Sequence, residues 1–174
     1  MAFSLITSLE RFLIRELASL RREVEAYPDD ALLWVIPPGL PNSGGTLTLH
    51  LNGNLRHYIG ARLGGDGYVR DRDAEFSTRD LSRRELLEGI AAAENAIRST
   101  FAMLTEEQLS APYPETLRGA TLETGELLLQ LAVHLGYHLG QISYHRRLVT
   151  ANSAGVGALD PGKLTTIAPR SVPG

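Results

Sequence analysis

Four stretches of this 174-residue chain place apolar residues at three- and four-residue spacing, and punctuating residues divide them from one another. A helical period sustained that long does not fit the two-residue alternation of a strand, so the pattern restricts the chain to an all-α fold. The first stretch, about 5–27, carries Leu5, Leu9, Phe12, Leu13, Leu17, Leu20 and Val24 on one face and stops before Pro28. Arg11, Arg15, Glu16, Arg22 and Glu25 form its charged outer face. After a Pro/Gly-rich connection containing Trp34, Asn42 or Ser43 caps a second helix over about 46–63, which ends at Gly64-Gly65. Ser82-Arg83-Arg84-Glu85 is a capping box that opens a third helix, about 82–104, and Thr105-Glu106-Glu107-Gln108 repeats the pattern for one short turn. Pro112 and Pro114 force a loop before the fourth helix, about 122–149. Thr46-Leu47-Thr48-Leu49 alternates like a strand, but no other segment offers it a partner.

The expected architecture is therefore a four-helix bundle over 1–150, with long connections after the first and second helices. An irregular tail over 151–174, rich in Gly, Ser and Pro, belongs to the same domain. The connection over 64–82 is heavily charged, and Arg72, Asp73 and Glu75 are expected to form an ion-pair cluster that pins it, with Arg72 also placed to meet an anionic substrate.

Composition narrows the partners. Seventeen Lys and Arg against twenty Asp and Glu give a net charge of −3, with no basic run to follow a phosphate backbone, so nucleic acid is not an expected partner. The longest uncharged stretch, 31–55 apart from His50, is broken by Pro37, Pro38, Gly39, Pro41, Gly44 and Gly45 and cannot serve as a membrane helix. Glu10 and Arg11 come too early for a secretory signal, and the cytoplasm is the expected compartment. There is no cysteine, so a transition-metal site must use histidine and carboxylate.

Histidine is where chemistry concentrates. His50 and His57 fall on the second helix, and His134, His138 and His145 on the fourth. His134 and His138, four residues apart, stack on one helix face at a spacing that suits a shared ion. A third ligand must come from another helix, from His50 or His57, and three neutral imidazoles leave one coordination position open, as a reactive ion requires. The competing role is that of hydrogen-bonded core histidines, for which six ring nitrogens need partners; one cation satisfies three of them. Leu135 follows His134, so the zinc-protease pattern with its adjacent Glu is missing, and no Glu-x-x-His of a di-iron bundle occurs on any helix. Gly136 and Gly140 form a small-residue pair that signals close helix packing or room for a ligand. Asn54, one turn after His50, and Gln141, three residues after His138, are candidates to support the imidazoles from behind. Trp34 and Tyr137 read as core or cavity wall.

The segments His50-Leu51-Asn52-Gly53-Asn54-Leu55, Arg72-Asp73-Ala74-Glu75-Phe76 and His134-x-x-x-His138-x-Gly140-Gln141-Ile142 together resemble the DinB-like (YfiT-type) superfamily over nearly the whole chain. The tail over 164–171 is similar to the closing segment of one uncharacterised branch. The resemblance implies a four-helix bundle, expected as a homodimer, with one divalent metal (zinc, nickel or iron) on His50, His134 and His138. It also implies a metal-dependent, thiol S-transferase-like enzyme that activates a low-molecular-weight thiol such as bacillithiol or mycothiol. Water activation for hydrolysis, or a non-catalytic metal-binding or stress-associated role, are the alternatives. His57 and His145 match no ligand position of that superfamily and are expected to be surface or second-site residues.

Overall fold

The computed structural model describes residues 4–158. Six α-helices lie among them: α1 (Leu5–Glu25), α2 (Gly44–Leu55), α3 (Arg72–Ser77), α4 (Arg83–Phe101), α5 (Glu106–Leu109) and α6 (Thr124–Thr150). A 3-10 turn, Asp30–Leu33, follows α1, and α2 continues through a π-helical turn, Arg56–Ala61. The described residues contain no strand, only two isolated bridges, Pro112 with Glu123 and Leu117 with Ala120. The tail over 159–174, including the family-like segment 164–171, lies outside the described residues.

Local chemistry sets the helix starts. The Ser4 hydroxyl accepts from Thr7 N, Ser43 accepts from Thr46 N, and both capping boxes form, Ser82 with Glu85 and Thr105 with Gln108. The Thr46–Leu49 alternation is helical because Ser43 supplies that cap and because Gly44 and Gly45 let the turn press against neighbours. A Cβ at Gly44 would overlap the Tyr27 hydroxyl, and one at Gly45 would sit 2.9 Å from the Trp34 ring. Helix α6 ends where Ala151 turns left-handed at φ 50°.

The four long helices form a ring in which α1 packs on α4 and α6, and α2 packs on the same two. Leu9, Leu13, Leu17, Leu20 and Val24 of α1 meet Leu47, Leu51 and Leu55 of α2, Leu86, Ile90, Ala93, Ile97 and Phe101 of α4, and Leu127, Leu128, Leu131, Leu135, Leu139 and Ile142 of α6 in one core. The four-helix bundle expected from the periodicity is the fold observed.

Two expectations need correction, and a third is decided between its two alternatives. Glu16 is buried, not on the charged outer face, because its carboxylate is covered while paired with Arg15. Phe12 is 42% exposed, because it borders an open groove of 730 Å³ between α1 and α6. Gly136 and Gly140 lie on that groove, and a Cβ on either would meet nothing within 4 Å, so this pair makes space and no close helix contact.

The core also holds an ion pair that the apolar pattern hides. Arg146 of α6 and Glu23 of α1 are each about 1% exposed and bonded to one another, and Arg146 Nη2 donates to Ala154 O at 2.7 Å. Removing one partner strands the other charge away from water. Arg146→Ala is expected to lower unfolding stability by about 3–5 kcal/mol, and Arg146→Met with Glu23→Gln by clearly less. Urea unfolding of the three proteins measures this.

Candidate metal centre

The α2–α6 contact brings the three histidines together. His50 on α2 and His134 and His138 on α6 each offer a ligand atom, and all three atoms lie within 4.8 Å of one another. His50 Nε2 and His134 Nε2 are 3.3 Å apart. An ion bonded to both at zinc–imidazole lengths with a tetrahedral angle requires about 3.3–3.4 Å between the nitrogens. His50 is buried, whereas His134 and His138 are only partly covered, so the cluster faces outward along α6.

Hydrogen bonds to the far ring nitrogens decide which way the lone pairs point. His50 Nδ1 donates to Glu75 Oε2 at 2.9 Å, leaving Nε2 as an acceptor aimed at His134. His138 Nδ1 donates to Gln141 Oε1 at 2.7 Å, freeing its Nε2 in the same way. A carboxylate or amide oxygen behind a ligating imidazole is the usual means of fixing tautomer and ring direction. His134 Nδ1 is buried without a hydrogen-bond partner. Burial, then the neighbouring His138, His50 and Arg70, push the His134 pKa down to about 4, so this ring is a neutral electron-pair donor at neutral pH. Burial also lowers that of His138, against the opposing bond from Gln141. A neutral His134 carries one N–H: on Nε2 it bridges the 3.3 Å to His50, and on Nδ1 it leaves both Nε2 lone pairs facing a position that a cation can fill. The donor set therefore fits a divalent ion of the imidazole-preferring group.

Glu75 borders the cluster, in a place its sequence neighbours do not indicate. The expected Arg72–Asp73–Glu75 cluster does not form; Glu75 is instead gripped by Arg70, through Nε at 2.6 Å and Nη2 at 2.8 Å, and by His50. Arg72 lies 4.9 Å over the Phe76 ring, and that ring is 5.0 Å from His50. Burial pushes the Glu75 carboxyl up, but the bonds from Arg70 and His50 outweigh it and hold the group below the usual range. Gly53 makes the arrangement possible, since a Cβ there would overlap Glu75 Oε1. A signal for this lay in the sequence, in an acidic residue flanked by arginines within a connection too charged for a passive loop, but its pairing with α2 depends on tertiary structure.

The remaining candidates separate clearly. Asn54 is buried with its Oδ1 unpaired, and no hydrogen bond joins it to the three histidines. His57 Nε2 donates to Glu115 at 3.1 Å, away from the cluster. His145, expected to be a surface or second-site residue, is buried and not at the surface: it accepts from the Tyr27 hydroxyl at Nδ1 and donates from Nε2 to Val35 O, which ties α6 to the segment after α1. Trp34 is core, its Nε1 donating to Leu81 O, whereas Tyr137 is 63% exposed and packs edge-on against His138.

A helical bundle with three convergent imidazoles defines an all-α protein able to bind a metal ion. By sequence it belongs to the family described as "Protein of unknown function (DUF1572)", whose model matches residues 6–159. No curated protein and no solved structure matches the chain. Among the described residues no helix is long and apolar enough to cross a membrane.

The His134 pKa gives a pH signature. Its folded value lies below the unfolded value near 6.5, so the unfolded chain takes up the proton more readily and acid favours unfolding. The metal-free protein is expected to lose melting temperature as pH falls from about 6.5 to about 4, and His134→Asn to lose less over that window. Thermal melts across pH in the presence of a chelator test this.

Proposed function

We propose that this chain is a divalent-metal-dependent protein of the DinB-like type, with His50, His134 and His138 as ligands, acting on a small thiol or on water in the manner of a thiol S-transferase. The observation that carries the reading is the meeting of three imidazoles from two helices, each neutral or held by a neighbour so that a lone pair faces a common point. A divalent ion held there supplies Lewis acidity, which brings the pKa of a thiol or water toward neutrality.

The chain's own residues do the rest. Glu75 holds the His50 ring by accepting from Nδ1, and Gln141 does the same for His138. Partial burial keeps His134 unprotonated across the neutral range. Three protein ligands leave coordination positions for a reactant, and the incomplete cover over His134 and His138 gives it a path from solvent. Phe76 and Tyr137 present ring faces and edges beside His50 and His138 for the non-reacting part of a substrate.

A non-catalytic metal-binding role is the second reading, and one observation favours it: the 730 Å³ groove between α1 and α6 is not lined by the three histidines. A cobalt-substituted protein distinguishes the two. Under the enzymatic reading, a small thiol added to it produces a sulfur-to-cobalt charge-transfer band that saturates. His134→Ala is expected to lower metal content at least about tenfold and to abolish the band. A stoichiometrically loaded protein whose spectrum ignores thiols, and that hydrolyses no small ester or amide, supports the non-catalytic role.

A further inference from the structure

Residues 67–80, which include α3, are attached to the bundle in an unusual way. Of these fourteen positions only Glu75 is buried, and it is a carboxylate. Val69 is almost wholly exposed, and the aromatic residues Tyr68 and Phe76 are only partly covered. Most of the segment's hydrogen bonds are internal or to its immediate neighbours, such as Ala74 N to Asp71, Thr78 N to Ala74 O, and Arg70 to Glu75. Among the described residues its polar contacts with the long helices converge on one atom, His50 Nδ1, which donates to Glu75 Oε2 at 2.9 Å and has Arg70 Nη2 at 3.4 Å. Around it lie only softer contacts: Arg56 stacks on Tyr68 at 3.9 Å, Arg70 lies over Tyr58 at 5.6 Å, and Phe76 rests against His50.

We propose that Glu75 is a positioning residue that couples metal loading to the seating of residues 67–80. The inference rests on the metal-binding reading of the three histidines. One imidazole serves both events, since its Nε2 faces His134 and its Nδ1 holds the only buried anchor of the segment. Withdrawal of electron density through Nε2 makes Nδ1–H a better donor and strengthens the bond to Glu75. Conversely, a seated carboxylate raises the basicity of the imidazole. Two equilibria that share an interaction are linked reciprocally: whatever loading contributes to seating, seating contributes to loading. The consequence for the site is that Phe76, carried on α3 with Arg72 over its ring, is fixed beside His50 chiefly in the loaded protein. Gly53 belongs to the device, because its missing side chain is the space that the seated carboxylate occupies.

Hydrogen exchange of the whole chain, read by mass spectrometry with zinc and with a chelator, tests the coupling. Zinc is expected to slow the amides of 67–80 by about tenfold or more while leaving the middle of α4 unchanged. Glu75→Gln and Gly53→Ala are expected to weaken zinc binding about 10- to 100-fold and to lose the zinc-dependent protection, with helical circular dichroism retained. Gly53→Ala does so with no change of charge, which separates displacement of the carboxylate from loss of a nearby anion. A wild-type chain that takes up one zinc with no slowing in 67–80 overturns the coupling alone. A chain that takes up no zinc overturns the metal reading along with it. The wild-type comparison is decisive even where a variant fails to fold.

Discussion

The hydrogen bond from His50 Nδ1 to Glu75 is the buried link between two unlike parts of the molecule. On one side is a bundle whose cohesion comes from leucines and isoleucines of four helices. On the other is a charged connection with almost nothing to bury. A carboxylate enters the low-dielectric edge of the bundle only if its charge is met, and here Arg70 and His50 meet it together. The same bond sets the tautomer of His50, which turns the opposite nitrogen toward α6. Burial of the carboxylate and orientation of the imidazole thus share a single contact.

The helix pairing explains why the three imidazoles converge. Because α1 and α2 occupy opposite corners of the ring, α2 lies directly against α6, and residues one turn apart on α6 face a single residue of α2. The apolar layers Leu47, Leu51 and Leu55 of α2 and Leu131, Leu135 and Leu139 of α6 fix the register between the two helices. Polar groups are tolerated beside this seam because each has a local remedy: Glu75 for His50, Gln141 for His138, and a strongly lowered proton affinity for His134. The buried Glu23–Arg146 pair repeats the pattern at the α1–α6 contact, with two backbone carbonyls of the following loop accepting from the guanidinium as well.

Much of this was legible in the residues and some was not, for physical reasons. Helical period and capping boxes located the long helices because those signals are local: Ser82 with Glu85 and Thr105 with Gln108 form the bonds their spacing suggests. The histidine triad was legible through the four-residue spacing of His134 and His138 together with the family-like setting of His50. Short α3 was not, since six residues generate no apolar period. Glu75 was placed in the wrong cluster because its partners lie 5 and 25 positions away, and spacing cannot report a pairing that depends on how a loop folds back. His145 was read as peripheral because nothing local reveals that Tyr27 and Val35 approach it from across the bundle. The exposure of Phe12 reflects the groove made by Gly136 and Gly140, a vacancy on a different helix.

X-ray absorption spectroscopy at the zinc edge tests the convergence most directly. The wild-type, zinc-loaded protein should show three imidazole shells with zinc–nitrogen distances of about 2.0–2.1 Å and one additional light scatterer. His50→Ala should lose one imidazole. A spectrum with fewer than three imidazoles, or one that His50→Ala leaves unchanged, contradicts the assignment of α2 and α6 as the two walls of one metal centre.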